Sequence, residues 1–216
     1  MHHSLKSMLG LSLITALVAC GQSANKEQVS TGQNGAMAGG GSVTHTAANA
    51  FEPVEMKMDE QMAAAVGADA GDNWVRKMIA HHQGAVDMSK IVLDQKPTAA
   101  VAKMARMTID KQGHEIEELT KLEGKGPPNQ KSADLYKPAA MTMQRMMMEA
   151  GGSTPSETYL RKMLPHHEGA IAMSDAALKS GVTGAIKQQV EKTRADQQNE
   201  VEMVKSMMGK TAAERA

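Results

Sequence analysis

The chain has 216 residues, with 24 acidic side chains balanced by 24 basic ones. That length suits one or two small domains, and the even charge leaves no basic field to draw nucleic acid. Aromatic content is 2 % against 20 methionines, so the interior must be filled by Met, Ala, Leu, Ile and Val, which favours helices over sheets.

Lys6 supplies a basic start, and Leu9 to Ala19 is an apolar run too short to span a bilayer permanently. It ends Leu17-Val18-Ala19-Cys20-Gly21, which resembles the lipobox of bacterial lipoprotein signal peptides. The resemblance implies that residues 1–20 are a signal, that Cys20 is acylated, and that the mature protein is lipid-anchored in the cell envelope. Cys20 is the lone cysteine, so no intramolecular disulfide and no thiolate cluster can form. Any metal site must draw on His, Met, carboxylate or amide groups. Residues 21–50 are rich in Gly, Ser, Ala, Thr, Asn and Gln and read as a flexible tether, in which His45 is solvated.

From residue 51 the chain repeats itself without a gap. Trp74-Val75-Arg76-Lys77-Met78-Ile79-Ala80-His81-His82-Gln83-Gly84-Ala85 returns as Tyr159-Leu160-Arg161-Lys162-Met163-Leu164-Pro165-His166-His167-Glu168-Gly169-Ala170, 85 residues on. The same offset aligns Phe51-x-Pro53 with Tyr136-x-Pro138, and Gln112, Glu115 and Ile116 with Gln197, Glu200 and Val201. The units span 51–125 and 136–210. Each reads as a short Met-rich helix, near 55–66 and 139–150, followed by two long ones. Asp69 and the capping box Thr154-Pro155-Ser156-Glu157 begin the first long helices, which run to about Asp94 and Ser180. Lys96-Pro97 and Gly181 to Gly184 mark the turns, and the second long helices cover about 98–123 and 183–208. One hairpin cannot bury both faces of its helices, whereas two can, so the expected fold is an all-α antiparallel four-helix bundle within residues 51–210.

At 3.6 residues per turn, Met78, His81, His82, Ala85, Met88 and Ser89 share one side of their helix, as do Met163, His166, His167, Ala170, Met173 and Ser174. Each His pair straddles the centre of its stripe, so either ring or both can face inward. On the partner helices Gln112 and Glu115, and again Gln197 and Glu200, stand on otherwise apolar stripes. A buried carboxylate needs compensation, from histidine or from a metal. Four histidines, two carboxylates and the thioethers of Met78, Met88, Met163 and Met173 form the candidate metal site. Met141, Met143, Met146 and Met147 form a possible second one, since thioethers select Cu(I) or Ag(I) while His and Glu suit Cu(II). Gly84 and Gly169, each followed by Ala, make a small surface for close helix approach. Pro165 is expected to bend its helix or to leave the Arg161 carbonyl free.

The doubled His-His-x-Gly-Ala segments and the Gln-x-x-Glu-Ile/Val segments resemble the family called domain of unknown function 305. The resemblance covers roughly residues 51–208. It implies a ferritin-like four-helix fold, and a bacterial secreted or envelope protein linked to copper binding and copper tolerance. The expected function is non-enzymatic sequestration or delivery of copper at the envelope, with a metal ion and a membrane as partners and homo-oligomer formation left open. One alternative is a ferritin-like redox enzyme with a di-metal site; against it, Met78 and Met163 stand where a Glu-x-x-His motif needs Glu. The other is a metal-free structural or interaction lipoprotein with His–Glu pairs as struts. No nucleophile elbow and no phosphate loop accompanies these motifs.

Overall fold

The computed structural model describes residues 50–213, with side chains described as far as residue 210. The expected signal peptide with Cys20, and nearly all of the expected tether with His45, lie outside the described residues. The described chain is all-α: α1 (Glu52–Ala64), α2 (Ala70–Asp94), α3 (Ala99–Thr120), α4 (Gln130–Ala133) running into a 3-10 turn (Asp134–Tyr136), α5 (Lys137–Glu149), α6 (Pro155–Lys179) and α7 (Gly184–Ala213). No helix among the described residues is long and apolar enough to cross a membrane.

The start signals act as their chemistry predicts, in both copies. The Asp69 side chain accepts from the Asp72 N–H, and the Thr154 hydroxyl accepts from the Glu157 N–H. The return bond differs from the standard capping box: Asp72 accepts from the Ala68 N–H and Glu157 from the Ser153 N–H, each one residue before the cap. Lys96 and Gly181, repeat equivalents, both take positive φ just past α2 and α6. Pro165 does not interrupt α6. The short helix α4 in the link between units has no counterpart among the predicted elements. The remaining ends differ by one to five residues, and α7 shows the largest extension, to Ala213.

The four long helices make up the body. Consecutive helices α2–α3 and α6–α7 form two hairpins. The hairpins meet along α2 and α6, which run antiparallel and are pinned at both ends: Trp74 Nε1 donates to Ser174 Oγ at 3.3 Å, and Ser89 Oγ lies 2.7 Å from Tyr159 Oη. These two bonds are images of each other under the repeat. The outer helices α3 and α7 are tied by ion pairs, with Lys111 Nζ 2.9 Å from Glu200 Oε1 and Lys192 Nζ 3.5 Å from Glu118 Oε2.

The short helices explain the glycine of each His-His-x-Gly-Ala segment. Met58 of α1 lies directly on Gly84, and Met143 of α5 lies on Gly169. A Cβ at Gly169 would stand 2.5 Å from the Met143 Sδ and 2.8 Å from its Cβ, so rotation of the methionine alone cannot relieve the clash. Gly169→Ala is therefore expected to destabilise by about 1–3 kcal/mol, although alanine is the better helix former. Gly113 of α3 has nothing near its Cβ direction. Gly113→Ala is expected to stabilise by about 0.5–1 kcal/mol. Denaturant melts of the two variants check the opposite signs.

Candidate metal centre

All four histidines of the repeated motif are fully buried. Adjacent residues on a helix point about 100° apart, and the bundle covers both directions. His81 and His166 point across the α2–α6 seam at each other, whereas His82 and His167 point into their own hairpins, toward α3 and α7. The doubled histidine is thus one residue for each interface.

The seam pair is reciprocal. The His81 and His166 rings stack with centroids 3.7 Å apart. His81 Nε2 donates to the His166 carbonyl at 2.9 Å, and His166 Nε2 donates to the His81 carbonyl at 3.1 Å. A carbonyl only accepts, so each Nε2 carries the hydrogen and each Nδ1 is left with a lone pair. Burial pushes both imidazoles well below the ordinary histidine range, and the neighbouring histidines push the same way. Both are neutral at pH 7.

The hairpin pair is anchored to side chains. His82 Nε2 lies 3.1 Å from Glu115 Oε2. His167 Nδ1 lies 2.7 Å from Gln197 Oε1 and 3.2 Å from Glu200 Oε2, and Gln197 Nε2 donates to Glu200 Oε2 at 2.8 Å. The two half-sites therefore anchor opposite ring nitrogens. Gln112, the repeat equivalent of Gln197, is fully buried with neither amide atom hydrogen-bonded. Burial alone would raise the Glu115 carboxyl, but His82, Lys111 and Lys192 together hold it below the usual carboxylate value. Burial also lowers His167, partly offset by Glu200 and Gln197.

His81, His166 and His167 thus have one nitrogen hydrogen-bonded to an oxygen and the other bare, while His82 makes no hydrogen bond and has its Nε2 within ion-pair distance of Glu115. His81 Nδ1, His82 Nδ1, His166 Nδ1 and His167 Nε2 are buried without a hydrogen-bond partner among the described residues. An orphaned buried polar atom costs about 1–3 kcal/mol. Metal-binding imidazoles carry this pattern, since the ligating nitrogen is left free by a hydrogen bond that fixes the other. No three His, Cys, Asp or Glu side chains converge to hold an ion among the described residues. The arrangement therefore fits neither a tetrahedral zinc cage nor a carboxylate-rich di-metal cage. Imidazole nitrogens and thioethers are the donors left over. Met78, Met88, Met163 and Met173 are fully buried in the same core, with Met78 and Met163 one helical turn before the histidines.

The methionines of α5 do not gather into one site. Met143 and Met147 are buried, Met143 against Gly169, while Met141 is 58 % exposed and Met146 stands at the surface. The helix turns Met141 away from Met143 and Met147, so these four thioethers face different surroundings. His114, whose repeat equivalent is Asn199, is exposed beside Glu117 and Glu118.

Sequence patterns missed the lysines. Lys111 and Lys192 brace the two carboxylates from the opposite hairpin, yet their repeat equivalents are Asp196 and Met107, so the duplication hides them. Lys77 and Lys162 are buried, donating to the Met62 and Met147 carbonyls at 2.7 and 2.8 Å. Their signal was present, as the repeated Arg-Lys-Met before each His pair.

A family model described as Domain of unknown function (DUF305) matches residues 14–123 and again residues 120–208. The two adjacent matches agree with the 85-residue duplication. No curated protein and no solved structure matches the chain.

Proposed function

The chain belongs to the family described as Domain of unknown function (DUF305), and we propose that this member binds a soft transition-metal ion, copper, inside the bundle. The family description carries no activity, so the proposal rests on the site. Its single strongest support is the set of four buried, bare imidazole nitrogens, three of them on rings whose opposite nitrogen is hydrogen-bonded to an oxygen and the fourth on His82, whose Nε2 lies 3.1 Å from Glu115 Oε2. His81 Nδ1 and His166 Nδ1 are the foremost donors, because their tautomers are fixed by the reciprocal carbonyl bonds. Met78 and Met163 supply thioether sulfur one turn away. Few donors of low hardness favour Cu(I), or Ag(I) as its probe, over zinc, iron or manganese. Glu115, Glu200, Lys111 and Lys192 hold the hairpin histidines in place rather than forming a carboxylate cage.

Sequestration or delivery at the envelope is the role we assign, with Cys20 as the lipid attachment point. The full burial of the histidines favours one other outcome, a metal-free bundle in which they act only as struts. A melting series on metal-free mature protein separates the readings. Cu(I) and Ag(I) in large excess over Kd are expected to raise Tm by about 5–10 °C, because a ligand at 100 times its Kd adds about 2.7 kcal/mol. Zinc and manganese are expected to move it little. A flat response to every metal overturns the proposal in favour of struts. The largest shift with iron, accompanied by oxidase turnover, would instead support a ferritin-like redox enzyme.

A further inference from the structure

The duplication is broken at one place that the metal site does not use. In one half, buried Lys162 donates to the Met147 carbonyl and pairs with Glu55 of α1, its Nζ 2.7 Å from Glu55 Oε1. The repeat image of this pair is Lys77 with residue 140. Lys77 donates to the Met62 carbonyl in the same way. Residue 140, however, is alanine, so the carboxylate that should meet Lys77 does not exist.

A cavity of about 270 Å³ opens in its place, between α1, α5 and the 3-10 turn. Lys77 and Ala140 both line it, with Met62, Gln144, a second lysine, Lys137, and two carboxylates, Asp59 and Asp134. Lys77 is only 7 % exposed, and its ammonium has two hydrogens beyond the one given to Met62. No carboxylate stands within ion-pair distance of Lys77 among the described residues; Asp134, on the wall of the same cavity, acts on it from beyond that distance. The opposite half demonstrates what geometry the scaffold accepts there: one carboxylate oxygen against the lysine, over the last turn of a Met-rich helix.

We infer that this cavity binds a small monocarboxylate, whose carboxylate meets Lys77 as the Glu55 carboxylate meets Lys162. The volume lies just below the usual range for ligand sites, about 300–1,000 Å³, which restricts the ligand to a short acid. Met62 and Ala140 offer apolar contact to its body, and Gln144 offers an amide. The site is independent of copper, and its test is run on metal-free protein.

The experiment compares wild type, Ala140→Glu and Lys77→Met in sodium acetate, propionate or butyrate against sodium chloride of equal ionic strength. Wild-type Tm is expected to rise by at least about 2 °C with saturating dependence on the carboxylate. Ala140→Glu restores the missing pair internally, and is expected to lose the carboxylate response. Lys77→Met is expected to lose it as well, and saturation-transfer NMR with propionate reads binding directly should either variant melt early. The inference is overturned if no carboxylate differs from chloride, if Ala140→Glu responds as strongly as wild type, or if inorganic phosphate matches propionate, which would make the cavity a general anion site.

Discussion

Glu115→Ala is expected to lower the unfolding free energy by about 2–4 kcal/mol, and its repeat equivalent Glu200→Ala by about 1 kcal/mol or less. The two carboxylates hold equivalent histidines, but their surroundings differ. The Glu115 side chain is 2 % exposed and the Glu200 side chain 13 %. Truncating Glu115 leaves His82 Nε2 without its anchor in a region where Gln112 already lacks partners, and it opens a cavity that water reaches poorly. Truncating Glu200 leaves His167 with Gln197 Oε1 at 2.7 Å, and lets Lys111, which is 39 % exposed, return to solvent. Guanidinium titrations of the two variants read the difference. Equal losses would mean that the two hairpins are energetically interchangeable and that the asymmetry around the histidines carries no weight.

Acidification of the metal-free protein is expected to have the larger effect. His81 and His166 are held well below the ordinary histidine value of 6.5 in the folded state. Above pH 6.5 both the folded and unfolded chains leave these rings neutral, so stability is flat with respect to them. Below pH 6.5 the unfolded chain takes up a proton at each ring while the folded chain does not, so the unfolded state gains. Stability is therefore present above the unfolded pKa and is lost as pH falls toward the depressed folded values. The slope approaches about 1.4 kcal/mol per pH unit for each histidine, about 2.7 for the pair. His167, lowered less, adds in the same direction; Asp59, pushed up to about 6 by burial, opposes the loss below that pH without cancelling it, and the depressed carboxyls of Glu115, Asp72 and Asp87 join only below their own ordinary range. The double variant His81→Phe, His166→Phe keeps two flat rings at the seam and removes both protons, so most of the slope should vanish. A wild-type profile that stays flat from pH 7 to pH 5 would contradict the burial of neutral rings.

What the sequence made legible is what local chemistry controls. The caps at Asp69 and Thr154, the turn positions at Lys96 and Gly181, and the paired long helices follow from residues within a few positions of one another. The inward stripes were legible too, because 3.6-residue periodicity fixes which side chains share a face. The orientation of the His pairs was not, since each pair straddles its stripe. Only the assembled bundle places α3 beside His82 and α6 beside His81. The glycine of the motif was visible as a point of close approach, but the methionine that occupies it comes from a helix 26 residues earlier in the chain. The cross-hairpin braces of Lys111 and Lys192 break the 85-residue register, so a search guided by the repeat passes over them. Met141, Met143, Met146 and Met147 are dense in sequence and soft as donors, which made them a possible second site. On a helix the same residues divide between the core and the surface.

We propose that bare imidazole nitrogens at the α2–α6 seam hold copper. Competition for Cu(I) against a chromogenic chelator, comparing wild type with the His81→Phe, His166→Phe variant, tests it most directly, once melting has established that the variant is folded. The expected result is that wild type withdraws Cu(I) from the chelator with an affinity at least about tenfold above the variant. Equal withdrawal by the two proteins would contradict the account and move any copper site away from the histidine core.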